Sequence, residues 1–188
     1  MSLPLPTKRF SCASDLDQLP EHVVGEIVGG ELYTSPRPAA AHTRAASRLG
    51  GALDGPFDRG QGGPGGWIIL DEPELHLGSN IVVPDLAGWR RTTMPSLPHA
   101  AHFDVAPDWI CEILSPSTES FDRSIKMPIY SQSGVTHAWL IDPLAQSIEV
   151  YERTAETFHL VERHDGSVSA LVRPFEAVSL DFSALWAR

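Results

Sequence analysis

Three side chains stand where a charge costs free energy unless something compensates it. Glu112 lies in the run Trp109-Ile110-Cys111-Glu112-Ile113-Leu114. Read as a strand, this run has Trp109, Cys111 and Ile113 on one side and Ile110, Glu112 and Leu114 on the other. Both sides are apolar, so the strand is expected to be buried on both faces with a carboxylate inside it. Asp85, in IVVPDLAGW, shares a side with Ile81, Val83, Ala87 and Trp89 and interrupts that apolar side too. Lys126 follows in SPSTESFDRSIKMPIYSQSG, near the start of an expected helix. Asp85 and Glu112 are 27 positions apart, so only neighbouring strands can bring them together. Two converging carboxylates are hard oxygen ligands suited to Mg²⁺. Such an ion polarises a phosphoryl oxygen and acidifies bound water, and a nearby lysine can orient that water or meet the charge growing on phosphate.

The elements that must position these groups are legible along the chain. Residues 1–20 read as a loose N-terminal arm with a short helical piece near Ser14–Leu19, and 21–188 as one domain. Two strand-like runs flank Gly29-Gly30, a two-residue hairpin signal. Pro36 and Pro38 open a helix in which His42, Ala45, Ala46, Leu49 and Leu53 share a face. Gly50-Gly51 weakens its far end, and Asp54–Gly66 reads as a flexible loop without the Gly-Lys-Ser/Thr of a phosphate cradle. Trp67–Leu70 and Glu74–Leu77 read as one interrupted strand or two short ones, and Ile81–Ala87 returns as the next. A polar connection, Arg90–Ala106, precedes Trp109–Ser115. A helix over Ile125–Ser133 would tolerate Pro128 only in its first turn and would stop at Gly134. Ala138–Asp142 is a further strand. Ser147–Arg153, Phe158–Arg163 and Ser167–Val172 read as a terminal antiparallel meander. This order predicts an α/β fold with a sheet of mixed direction.

Composition narrows the function. Hydrophobic residues make up 42% and charged residues 20%, the balance of a globular protein. No apolar run is long enough for a membrane span, and MSLPLPTKRFSCASDLDQLP has no apolar h-region, so a cytoplasmic protein without membrane attachment is expected. Cys12 and Cys111 have no close spacing, and Cys111 reads as a reduced core residue. The net charge of −10 argues against a surface that grips nucleic acid everywhere. Arg37–Lys126 carries eight basic and eleven acidic residues, against six and thirteen elsewhere, so the middle of the chain is the part least hostile to a polyanion.

The segments EIVGGELYTSPRPAAAHTRAASRL, IVVPDLAGW, DWICEILSPSTESFDRSIKMPIYSQSGVTHAWLIDP and SIEVYE together resemble the PD-(D/E)XK nuclease superfamily, and within it the Uma-two family of endonucleases. The resemblance implies a restriction-endonuclease-like core, a mixed β-sheet flanked by helices with extra antiparallel strands at both ends. It implies a Mg²⁺-dependent (or Mn²⁺-dependent) endonuclease acting on DNA, with a homodimer as an expectation for the assembly. Asp85 corresponds to the acid of the Pro-Asp element and Glu112 to the second acid, both as metal ligands. Leu114 occupies the place of the usual lysine, and the lysine role passes to Lys126. An acid from an earlier segment often joins such sites; Glu31 is the first candidate and Glu26 the second. The absent Glu-x-Lys pattern and the acidic balance leave an alternative, a degenerate module that binds metal or a partner without turnover; a hydrolase of a small phosphate ester is a third.

Other readings are structural. Glu112 can be the buried partner of Lys126 or Arg123. His42 reads as a core histidine, His76 as facing water, and Trp89, Trp109, Trp139 and Tyr130 as core aromatics. Asp122 and Arg123 read as a helix-start charge pair, with Asp122 also able to orient the site. Ser115, Ser117 and Thr118 read as turn and cap residues, with no Gly-x-Ser-x-Gly elbow for a serine nucleophile. Arg37, Arg44, Arg48, Arg90 and Arg91 are candidates for phosphate contact or ordinary surface arginines.

Overall fold

The computed structural model describes residues 6–9, 12–20, 23–36 and 38–186. Its elements are β1 (Lys8–Arg9), α1 (Ala13–Leu16), β2 (Val23–Val28), β3 (Glu31–Pro36), α2 (Ala40–Leu53), β4 (Trp67–Asp71), β5 (Leu75–Leu77), β6 (Asn80–Val82), β7 (Leu86–Arg90) and β8 (Trp109–Ile113). There follow α3 (Glu119–Phe121), α4 (Met127–Gln132), β9 (His137–Asp142), β10 (Ser147–Thr154), β11 (Thr157–Asp165), β12 (Ser169–Ala170), β13 (Leu180–Asp181) and α5 (Ser183–Trp186). The larger sheet has the order β11-β10-β9-β8-β7-β4, antiparallel except for the parallel pair β8 and β9. A parallel pair needs a crossover, and α3 and α4 supply it. The smaller, antiparallel sheet has the order β1-β3-β2-β6-β5. This is the mixed α/β architecture the sequence implied.

Strand β8 is the buried centre. Trp109, Cys111 and Ile113 pack into one apolar cluster with Ala45, Leu49 and Leu53 of α2. Ile110 and Leu114 join the opposite cluster, with Leu140, Met127 and Tyr130. Glu112 therefore emerges on the second face, beneath the crossover helices. Gly88, on neighbouring β7, has a physical reason: a Cβ there would lie 3.2 Å from the Trp109 ring and 3.3 Å from that of Trp67. Phe175 ties the first cluster together, with its ring centroid 4.7 Å from Phe57, 4.8 Å from Trp67, 5.0 Å from Trp109 and 5.6 Å from Trp139. Replacing Phe175 by alanine is expected to cost about 3–5 kcal/mol. Urea titration would record this as a lower midpoint with an unchanged slope.

The segment Trp67–Arg90 is one hairpin bent in the middle. Trp67 pairs with Arg90 and Asp71 with Leu86; in the same continuing register Leu75 pairs with Val82 and Leu77 with Asn80. That register sets Pro73 opposite Pro84. Neither has an N–H to give the ladder, so pairing lapses there. The outer half, β4 and β7, stays in the larger sheet, while the tip, β5 and β6, joins the smaller one. The expected continuous strand Ile81–Ala87 is thus broken at Val83-Pro84-Asp85, and Asp85 sits in the bend.

Other boundaries moved for identifiable reasons. Helix α2 runs through Gly50-Gly51 and continues as a π-helical turn, Asp54–Asp58, inside the expected loop. Buried Leu49, Leu53 and Phe57 anchor it, which outweighs about 1 kcal/mol of propensity loss at each glycine. The second helix begins at Glu119, six residues early, and passes through a π-helical turn, Asp122–Lys126, before α4. There Met127 N–H bonds Asp122 O, five residues back, just ahead of Pro128, which has no N–H to give and whose ring would crowd a regular turn. The described part of the N-terminal arm is docked: β1 pairs with β3, and Leu16 and Leu19 pack on Ile27, Leu32 and Ile81. At the far end β12 pairs with β13, not with β11, so the expected meander has two strands and not three. Both cysteines are free, Cys111 buried and Cys12 exposed. No helix among the described residues is long and apolar enough to cross a membrane.

Candidate active site

The cleft opens where the hairpin bends away from the larger sheet. It has a volume of about 390 Å³ and is lined by Glu26, His42, Asp85, Glu112, Asp122 and Lys126 among others. Each side chain comes from a different constraint. Glu26 lies on β2, which the hairpin tip joins. His42 extends from the first turn of α2. The β7–β8 register pairs Leu86 with Cys111, so Asp85 and Glu112 occupy the next rung. The π turn carries Asp122 and Lys126.

Lys126 is the hub. Its Nζ lies 2.9 Å from Glu26 Oε1, 2.9 Å from Glu112 Oε1 and 4.0 Å from Asp122 Oδ1, and donates to Val83 O at 2.9 Å. An ammonium has three N–H donors, and the three short contacts account for them. Glu112 Oε1 also accepts the Tyr130 hydroxyl at 2.6 Å. Glu26 Oε1 accepts Val83 N–H at 2.9 Å, which clamps the bend to β2. Asp85 Oδ2 accepts Ile113 N–H at 2.6 Å, and Asp85 Oδ1 lies 3.2 Å from His42 Nε2. The other ring nitrogen of His42 is buried without a hydrogen-bond partner.

The charges do not balance. Glu112 is 2% exposed and Lys126 3%. Burial works to lower Lys126, but Glu112 and Glu26 outweigh it and hold the ammonium well above its ordinary pKa. Burial pushes Glu112 well above the carboxylate range; Lys126 opposes this, while Asp122, Asp85 and Glu26 add to it. Burial likewise raises Asp122 to about 6, although Lys126 and a Thr118 hydrogen bond pull the other way. Burial would lower His42, but Asp85, Asp122 and Glu72 raise it above its usual value. Four carboxylates thus face one ammonium and one imidazole. Hard oxygen donors of this kind could hold Mg²⁺. Tyr130→Phe, which removes one donor to Glu112, is expected to destabilise the fold by about 1.5–3 kcal/mol, as for a hydrogen bond to a charged group. Thermal and urea unfolding would measure it.

Asp85, Glu112 and Lys126 come together in this cleft, but Glu31 does not join them. Glu31 follows the Gly29-Gly30 turn, where φ is +58° and +80°, and pairs with Val28 at the end of the hairpin. Its Oε2 accepts the Tyr33 hydroxyl at 3.0 Å. The earlier acid in the cleft is Glu26. Its signal was present in Val23-Val24-Gly25-Glu26-Ile27-Val28, a carboxylate inside an apolar strand, the same anomaly that marks Glu112. Asp122 belongs to the cleft, while Arg123 turns away to Glu119 and, through both terminal nitrogens, to Glu149. Arg91 pairs with Asp58, and Arg90 lies over the Trp67 ring. Arg44 and Arg48 line a shallow groove along α2, and Arg37 lies outside the described residues.

The mixed α/β fold thus sets an acid pair on one rung of neighbouring strands, with a lysine delivered by the crossover segment. The family described as "Uma2: Putative restriction endonuclease" matches residues 13–183, and the chain belongs to that family. The crystal structure of a "putative nuclease belonging to DUF820" from Anabaena variabilis has the same fold, with a TM-score of 0.75 and 23% identity over 92% of this chain and 96% of that one. Comparison with curated proteins gives no match.

Proposed function

We propose that this protein is a metal-dependent endonuclease that hydrolyses phosphodiester bonds in DNA. The observation that carries the reading is the convergence of Asp85 and Glu112 in one cleft with Lys126 2.9 Å from Glu112. Asp85 and Glu112 would hold Mg²⁺ or Mn²⁺, which supplies Lewis-acid polarisation of the phosphoryl oxygen. The family description and the nuclease-like neighbour support the same class. Lys126 keeps a fixed positive charge beside the point where negative charge grows on the phosphate, which requires no spare N–H. Tyr130 and Lys126 hold Glu112, while Ile113 N–H and His42 hold Asp85, so both carboxylates meet the substrate already oriented. Arg44 and Arg48, exposed on α2, are the proposed contacts to flanking phosphates. We take the working assembly to be a homodimer, since nucleases that cut both strands of a duplex commonly use two sites.

One observation favours the second reading, a module that binds metal or a partner without turnover. Lys126 has its three donors engaged and Leu114 stands where the usual lysine would be. Calorimetry with Mg²⁺ and Mn²⁺, run beside cleavage of mixed duplex and single-stranded DNA, separates the two. The nuclease reading expects saturable ion binding and cleavage that a chelator abolishes. Ion binding without cleavage of DNA or RNA selects the metal-binding module, and no ion binding removes the nuclease and leaves only a partner-binding module. DNA affinity is expected to fall steeply with salt.

A further inference from the structure

A second cluster of ligating side chains lies on the other side of the hairpin tip from the cleft. Glu74 and His76 flank Leu75, so strand alternation puts both on the face opposite Leu75 and Leu77, which are buried. The connection between β7 and β8 returns alongside: Phe103 N–H donates to Glu74 O and His76 N–H to Phe103 O, each at 2.9 Å. Phe103 therefore bridges Leu75 in parallel and delivers His102 beside His76. The two imidazoles stack with centroids 3.9 Å apart and planes 12° apart. His76 Nε2 meets Glu74 Oε1 at 2.7 Å, and one ligand atom from each of Glu74, His76 and His102 lies within 4.8 Å of the others. All three are half-buried, and none lines the cleft. Alternation with Leu75 and Leu77 alone sets His76 toward water; the partner that completes the set is 26 residues away.

We propose that Glu74, His76 and His102 form a binding site for a divalent transition ion of the Zn²⁺ class, separate from the carboxylate cleft. Two imidazoles and one carboxylate are the donor set of a three-ligand zinc site with an open position, whereas Mg²⁺ demands oxygen. Zinc bonds of about 2.0–2.2 Å require the ligand atoms to close together and the two stacked rings to rotate out of their parallel arrangement, so that each in-plane lone pair meets one ion; the half-exposed side chains have room for this. The ion needs both imidazoles neutral, and it displaces the proton shared by His76 and Glu74. The consequence is mechanical: the ion ties strand β5 to the Arg91–Pro107 connection, across which backbone pairing is limited to the Phe103 bridge. The site therefore governs how firmly the hairpin tip is held, and the bend at the base of that tip carries Asp85.

Cobalt(II) is the probe, since nitrogen-ligated Co²⁺ of low coordination number absorbs visibly and Mg²⁺ does not. The full-length chain is titrated with Co²⁺ in excess Mg²⁺, alongside H76Q, H102Q and D85A. The proposal expects one equivalent with a visible band, at least tenfold weaker binding in H76Q and in H102Q, and an unchanged band in D85A. It also expects Zn²⁺ to raise the unfolding temperature of the wild type by several degrees and that of H102Q by less. His102 is on an exposed connection, so H102Q tests the site without a core change. A band that survives in H76Q and H102Q, one that disappears only in D85A, or no band at all would overturn the proposal.

Discussion

Lys126→Met is expected to destabilise the protein by about 3–5 kcal/mol, the range for removing one partner of a buried ion pair. Methionine fills the space of the lysine stem, so little of this loss is packing. The loss is electrostatic: Glu26, Glu112 and Asp122 would remain buried around an absent cation, and Val83 O would lose its donor. The dependence on pH has a definite sign. Asp122 already has its folded pKa raised to about 6, and Glu112 stands well above its usual value. A raised folded-state carboxyl binds protons more tightly than in the unfolded chain. Its contribution is therefore fully favourable below the unfolded value and is lost as pH rises through the folded one. Without Lys126 both groups rise further, so the deficit of the variant is expected to be smaller at pH 5 than at pH 8. Urea unfolding at the two values measures this. Adding Glu112→Gln to Lys126→Met should recover part of the stability, because it removes a carboxylate left without its cation. If the double variant is no more stable than the single one, the loss is packing and the charge argument fails.

This dependence on charge explains which parts of the site were legible in the sequence. Glu112 is readable because a charge inside Trp109–Leu114 violates the alternation of a half-exposed strand and the uniformity of a buried one. Glu26 violates it in the same way, yet the resemblance ranks Glu31 ahead of it. The Gly29-Gly30 turn instead carries Glu31 to the end of the hairpin. Asp85 is readable by type and misleading by place. Pro84 alone reads as the tail of a strand, and only the register that sets Pro73 against Pro84 reveals a bend. That register belongs to the hairpin, but the direction of the bend is set at long range, by β6 pairing with β2. The π turn at Asp122–Lys126 has no sequence signature beyond Pro128 and a lysine that must reach inward. It turns an expected pair, Asp122 with Arg123, into two residues that part company: Asp122 enters the cleft and Arg123 crosses to Glu149. His42 lies on the apolar stripe of α2, and nothing in the stripe distinguishes a core histidine from one facing Asp85. The order of elements was readable because hydrophobic periodicity is local; their partners in the sheets were not.

Asp85→Asn is expected to lower metal-dependent DNA cleavage by at least about 100-fold, the upper part of the range seen when even an outer partner of a metal ligand is lost. The substitution is nearly isosteric. An asparagine carbonyl can still accept the Ile113 N–H that Asp85 Oδ2 receives at 2.6 Å. Stability is therefore expected to change by about 1 kcal/mol or less, since a hydrogen bond is retained and a crowded negative charge is removed. The variant thus separates the two roles the carboxylate has, capping β8 and holding a cation. Removing the charge also weakens the pull on His42, whose pKa should fall toward its ordinary value; proton NMR of the ring would follow this. If Asp85 is a ligand, Mg²⁺ affinity measured by calorimetry drops with cleavage while the urea midpoint barely moves. Glu112→Gln should behave differently: it frees Lys126 from one of its carboxylates, so folding and ion binding change together. Equal cleavage by wild type and Asp85→Asn would remove Asp85 from the site. With it would go the reason for reading the cleft as a place where phosphodiesters are cut.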